Sequence, residues 1–203
     1  MNAPLTVKLG GAVAGGALDA LRVLAQKADP SLVIVHGGGS EVGDWSRRLG
    51  IEPRFHDGLR VTDEQTVDVV VAVLGGLVNA RLVAQLQAAG RPAIGLTGAD
   101  GGLLDVEPMG AELGAVATVT GVATPLLDEL VGAGLTPVIA SIAADDEGKL
   151  YNVNADEVAG AVAAARGGLL LLCTDVSGVI RGGAVLRSLG ADEAHAMLAA
   201  GSA

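Results

Sequence analysis

The run Ser31-Leu-Val-Ile-Val-His-Gly-Gly-Gly39 constrains this chain more than any other stretch. Short, continuously apolar, rich in β-branched residues and stopped by glycines, it reads as a fully buried strand of a parallel sheet. Glycines at its end remove side chains where the next helix begins, so backbone N–H groups can close on a ligand. The same device occurs in Leu5-Thr-Val-Lys8-Leu-Gly10-Gly11, with a lysine two residues before the glycines. A lysine inside an apolar strand is costly unless it faces a partner or a cleft; an edge lysine on the surface is the plain alternative. Two glycine-finished strand ends, one carrying a cation, suggest a cradle for an anion passed between two ligands.

The core must be aliphatic. Half of the 203 residues are apolar, yet there is one Trp, one Tyr and one Phe, which suits closely layered helices and sheet. The formal charge of −10 argues against a nucleic-acid surface, which needs a basic patch. The single Cys173, inside Leu169-Leu-Leu-Leu-Cys173, reads as a core thiol, and one cysteine allows no internal disulfide, which fits a reducing cytoplasm. There is no basic-flanked apolar leader and no unbroken apolar run of the roughly 18 residues that span a membrane. The expectation is a cytoplasmic protein that binds neither membrane nor nucleic acid.

Taken in order, residues 4–9 read as a strand and 16–28 as a helix ended by Asp29-Pro30. After the strand 31–36 comes a helix, Ser40 to Leu49, with Val42, Trp45 and Leu49 on one side. His36 has no Cys or second His nearby, so packing or hydrogen bonding is expected of it rather than metal ligation. In Gly58-Leu-Arg60-Val-Thr62-Asp63, Thr62 or Asp63 can cap a helix over 63–89. Gly75-Gly76 within that helix suggests a break, or close approach of another helix or subunit. Arg60 is either an ordinary surface arginine or, by its fork geometry, a carboxylate clamp. A strand over 91–97, a hairpin excursion over 103–122, a helix over 125–133 and a strand over 136–142 follow. Asp145 to Gly148 reads as a solvated turn. Asn154 can cap the helix 155–166, with Asp156 in its first turn, and Asn152 adds to the polar cluster there. A buried strand over 168–174, a hairpin around Gly182-Gly183 and a helix over 191–200 complete the chain. The pattern is α/β: a three-layer αβα sandwich on a mainly parallel sheet.

Together these segments resemble the amino acid kinase family, and within it the N-acetylglutamate kinases. The resemblance is carried by Val7-Lys8-Leu9-Gly10-Gly11, Val33-Ile-Val-His36-Gly-Gly-Gly39, Gly58-Leu-Arg60-Val-Thr62-Asp63, Asn152-Val-Asn-Ala-Asp156 and Thr174-Asp175-Val-Ser-Gly178. It implies transfer of the ATP γ-phosphoryl group, with Mg²⁺ held mainly by the nucleotide phosphates, to the side-chain carboxylate of N-acetyl-L-glutamate in arginine synthesis. By the same likeness Lys8 sits on the transferring phosphoryl group and Asp156 orients lysine side chains. Gly38, Gly39, Arg60 and Asn152 bind the acyl substrate. Lys8, Gly10, Gly11, Thr174, Asp175 and Gly178 serve the nucleotide and its phosphates, and no residue is a dedicated metal ligand. Residues 1–140 would be an acyl-amino-acid-binding and dimerisation lobe, and 141–203 the start of a nucleotide lobe, within one domain.

Family members run on past this point to a second phosphate-binding lysine, so the resemblance leaves an incomplete nucleotide lobe as the expectation here. Lys8 stands too near the start for the N-terminal helix of arginine-inhibited hexamers, so a homodimer without arginine feedback is expected. Two alternatives are a kinase of carrier-linked 2-aminoadipate or glutamate and a non-catalytic acyl-glutamate-binding module. A dinucleotide-binding protein is disfavoured, since G-x-G-x-x-G and the ribose-binding acid about 20 residues on are missing.

Overall fold

A computed structural model of the chain describes residues 3–10, 23, 30–174, 176 and 178–200. Two compact units result, 1–173 and 174–203. The first begins with β1 (Leu5–Leu9), β2 (Val33–His36), α1 (Gly39–Arg48), a hairpin of β3 (Phe55–His56) and β4 (Leu59–Arg60), and the long helix α2 (Glu64–Ala88). It continues with β5 (Ala93–Thr97), β6 (Leu104–Pro108), β7 (Val116–Val122), α3 (Pro125–Gly132) and β8 (Thr136–Ala140). Next come β9 (Ile142–Ala144), β10 (Leu150–Val153), α4 (Ala155–Ala165) and β11 (Leu169–Cys173).

Five of these strands form an all-parallel sheet in the order β11-β1-β2-β8-β5. Along β2 every side chain is buried, and the pleat divides them between two faces. Ile34 joins Val7 and Leu9 against Val42 of α1 and Val70, Leu74, Val78, Leu82 and Leu86 of α2. Val33 and Val35 join Ile139 against Leu127 of α3 and Val158 and Val162 of α4. Helices on both faces make the expected three layers. The expected hairpin excursion is β6 and β7, antiparallel members of a second sheet ordered β6-β7-β10-β9.

Four readings change. The strand expected over 136–142 is two strands: the chain leaves the main sheet after Ala140, and Ile142 pairs with Asn152 in the second sheet. Both pieces are buried, so the apolar pattern has no seam at Ser141. Next, β11 is an edge strand whose Leu169 to Leu172 are 40–63% exposed, because an apolar run specifies a strand but not its place in the sheet. On α1, the buried side is Val42, Gly43 and Ser46, while Trp45 and Leu49 are exposed. Small residues let that helix lie close to its neighbours, and the Ser46 hydroxyl donates to Val42 O at 2.8 Å.

Finally, α2 does not break at its glycines. It widens into π turns over Val71–Val78 and continues, and Gly75 faces Ile142 and Thr97 of the sheets. By length and composition α2 could cross a membrane, but its Val70, Leu74, Val78, Leu82 and Leu86 lie in the core, as a central helix of an α/β layer requires.

Asn79 seats α2 on the sheet, donating from Nδ2 to Val138 O at 2.8 Å. A Cβ on Gly95 would stand 1.9 Å from Asn79 Oδ1, so only glycine leaves the amide its place. Gly95→Ala is expected to cost about 3 kcal/mol, through lost buried hydrogen bonding and overpacking. A urea midpoint unchanged from wild type would refute this.

The second unit holds an antiparallel hairpin of β12 (Ile180–Arg181) and β13 (Ala184–Val185), followed by α5 (Ala191–Ala199). Arg181 pairs with Glu193 within it.

Candidate active site

Lys8 lies near the C-terminal end of β1, opposite Val35 of β2, with its side chain only 12% exposed. Its Nζ pairs with Asp156 Oδ1 at 3.0 Å, which is the partner that a lysine in an apolar strand requires. The ammonium group also lies across Gly10: a Cβ there would come within 2.6 Å of Nζ. Asp156 is held at the start of α4 because Asn154 caps that helix, its side chain accepting from the N–H groups of Asp156 and Glu157 at 2.8 and 3.4 Å.

The glycine turn after β2 joins this pair to a second polar group. At Gly37, a Cβ would meet Ala155 Cβ at 3.3 Å, so the turn packs directly on the residue before Asp156. Gly38, with φ of 152°, leads into α1 in a conformation that favours glycine. From the β3–β4 hairpin, Arg60 Nη2 donates to Gly39 O at 2.7 Å, and the guanidinium lies 4.9 Å from the centre of the Phe55 ring. Arg60 Nη1 is buried without a hydrogen-bond partner. Burial, and secondarily the nearby Arg47, hold the Arg60 pKa below its ordinary value. Asn152 Nδ2 donates to Thr62 Oγ1 at 3.4 Å, and that hydroxyl donates to Arg60 O at 2.9 Å. The Thr62 backbone is stitched in turn to Leu113 and Ala115.

The structure therefore brings Lys8, Gly10 and Asp156 together beside Ala155, which packs on Gly37, and ties Arg60 to Gly39 O and, through Thr62, to Asn152. Gly11 and Asp175 lie outside the described residues, as does the helix expected over 16–28 apart from Val23. Thr174 and Gly178 belong to the second unit. There Thr174 Oγ1 accepts from Val176 N at 3.4 Å, and Gly178 has φ of 133°. Cys173 is half-buried beside the core rather than inside it, and burial raises its thiol pKa. Sequence reading took Thr62 only as a candidate helix cap, whereas Asp63 is the cap and the Thr62 hydroxyl joins Arg60 to Asn152. Phe55 was also missed; the one phenylalanine, five residues before an arginine across a tight turn, was the available signal.

His36 packs and hydrogen-bonds as expected. It is fully buried, and burial lowers its pKa from 6.5 to about 4. The unfolded chain thus takes up a proton here that the folded one refuses between those two values. Stability from this residue is complete above pH 6.5, falls as the pH drops towards 4, and is lost by on the order of 3 kcal/mol below that. Denaturant midpoints measured across that range, in wild type and His36→Asn, should differ in slope; parallel curves would refute the prediction.

A model of the amino acid kinase family matches residues 5–203. The chain belongs to the amino acid kinase family. The chain is 49% identical over 182 residues to the acetylglutamate kinase of Methanopyrus kandleri, covering 86% of its own length and 72% of the relative's. It is 50% identical over 151 residues to the acetylglutamate kinase of Nostoc punctiforme, covering 73% of this chain and 51% of that one. The chain thus spans about half the length of the second relative. In backbone it is similar to a crystal structure from Streptococcus mutans UA159, with a TM-score of 0.85, 27% identity, and 98% and 83% of the two chains covered.

Proposed function

We propose that this chain carries the acyl-substrate site of an acetylglutamate kinase, which phosphorylates the side-chain carboxylate of N-acetyl-L-glutamate with ATP in arginine synthesis. The observation that carries the reading is Arg60 Nη1, a guanidinium nitrogen buried without a hydrogen-bond partner beside a backbone turn of three glycines. A buried, unpaired donor is expensive, and a carboxylate oxygen is the acceptor that suits it. The two relatives named acetylglutamate kinase support that substrate over a carrier-linked amino acid.

In this reading Arg60 and Asn152 hold the α-carboxylate end of the substrate, and the N–H side of the Gly38–Gly39 turn faces its reacting end. A carboxylate is already a nucleophile at neutral pH, so no general base is required. The protein's task is to position two anions and neutralise charge on the phosphoryl oxygens as it passes between them. Lys8 supplies that charge, and Asp156 holds Lys8 across Gly10 at the end of β1. Gly11, Thr174, Asp175 and Gly178 are assigned to the nucleotide side. Among the described residues no three His, Cys, Asp or Glu side chains converge as metal ligands. Mg²⁺ is assigned as a companion of the ATP phosphates, where it would offset their charge. Residues 1–140 are assigned as the acyl-amino-acid-binding and dimerisation lobe, and 141–203 as the start of the nucleotide lobe, of a cytoplasmic homodimer. Light scattering that gives a hexamer would rule the dimer out.

The test is calorimetric titration of the folded chain with N-acetyl-L-glutamate, then with ATP–Mg²⁺, followed by measurement of ADP release. Saturable heat with the acyl amino acid supports the substrate assignment. No heat with it, on a sample shown to be folded, refutes that assignment.

A further inference from the structure

The chemistry above makes no use of a buried polar pair, His36 and Asn79. His36 ends β2, directly before the glycine turn, and Asn79 follows the π turns of α2; they are 0% and 4% exposed. The geometry decides which way the Asn79 amide points. Its Nδ2 lies 2.8 Å from Val138 O and 3.4 Å from Leu96 O, and carbonyl oxygens only accept, so the NH₂ group faces them. The same Nδ2 lies 3.1 Å from His36 Nε2. A ring nitrogen facing an N–H donor must offer its lone pair, so the proton of neutral His36 sits on Nδ1. From there it donates to Gly37 O at 2.9 Å.

That bond has a consequence one peptide further on. The Gly37 carbonyl and the Gly38 N–H belong to one planar trans peptide, in which C=O and N–H point in opposite directions. Holding Gly37 O towards the buried imidazole aims Gly38 N–H away from it. The π turns complete the clamp: a Cβ on Gly38 would stand 2.9 Å from Leu74 Cδ2 and 3.5 Å from Val78 Cγ2. A π turn spends one extra residue per bond, and removing that residue would rotate Asn79 by about 100° about the helix axis, away from His36.

We propose that Asn79, through the tautomer it imposes on His36, sets the orientation of the Gly37–Gly38 peptide, making His36 and Asn79 positioning residues for the substrate-binding turn. The inference rests on the proposed acyl-substrate site only in giving the turn its ligand. Both residues are buried, and their effect is to pre-orient one donor.

The experiment uses the full chain labelled with ¹⁵N. Long-range ¹H–¹⁵N correlation should show His36 as the Nδ1–H tautomer. Asn79→Leu should shift it towards Nε2–H, change the Gly38 N–H residual dipolar coupling, which reads that bond's orientation, and weaken N-acetyl-L-glutamate about tenfold, as the loss of one aligned hydrogen bond implies. If Asn79→Leu does not fold, two replacements of His36 serve instead. His36→Asn keeps a donor near the Nδ1 position and should retain the wild-type Gly38 N–H coupling; His36→Gln does not and should lose it. An Nε2–H tautomer in the wild type, or equal Gly38 N–H couplings in the two His36 variants, would overturn the proposal. Should the tautomer and coupling results hold while the wild type binds no N-acetyl-L-glutamate, the substrate reading falls and the positioning inference stands.

Discussion

Lys8→Ala is expected to lower kcat about a thousandfold while leaving N-acetyl-L-glutamate affinity nearly unchanged, as removal of a preorganised charge at a reacting centre does. Lys8 meets Asp156 at 3.0 Å, and its side chain is largely enclosed. In the proposed transfer its charge matters when the phosphoryl group is between donor and acceptor, so its loss would fall on the transition state and not on ground-state binding. Lys8→Arg should not rescue, because Nζ already lies so close over Gly10 that a Cβ there would come within 2.6 Å of it, and a guanidinium is wider. Steady-state kinetics alongside calorimetry separates the outcomes. A kcat within tenfold of wild type would remove Lys8 from the chemistry.

Arg60→Ala should behave in the opposite way. Affinity for N-acetyl-L-glutamate is expected to fall about a hundredfold, the equivalent of a lost charge-assisted pair, with a smaller change in kcat at saturation. The substitution removes the buried Nη1 and also the bond from Nη2 to Gly39 O, so part of the effect comes from a looser glycine turn. Arg60→Lys distinguishes the parts. A single ammonium can satisfy either Gly39 O or a carboxylate, but not both in fork geometry, so it should recover less than about tenfold. Calorimetry that finds unchanged affinity in Arg60→Ala would dismiss the clamp.

The two expectations divide the proposed site into a binding half and a chemical half, and that division would follow the fold. Arg60 reaches the glycine turn from a two-stranded hairpin, and Asn152 joins it from the second sheet through Thr62. Lys8 comes from the main sheet and Asp156 from the first turn of α4. The packing of Gly37 on Ala155 holds the two halves together.

What the sequence determined by itself was local. Apolar runs ended by glycine, the Asn154 cap and the hairpin around Gly182-Gly183 follow from propensity and turn chemistry within a few residues, and the elements stand where those rules place them. The glycine-ended strand, the lysine in β1 and the arginine before Thr62 were visible as anomalies, because each breaks the pattern of its own segment. What only the tertiary structure decided was adjacency. That β11 lies exposed at the sheet edge, that the chain changes sheets at Ser141, and that α1 buries serine and glycine rather than tryptophan depend on which neighbour is present. Burial is a property of pairs of elements, and an apolar residue looks the same in sequence with or without its partner. The same reason hid Asn79. One amide in a run of valine and leucine carries no label for His36, 43 residues earlier, until α2 lies across the sheet and Gly95 leaves it room.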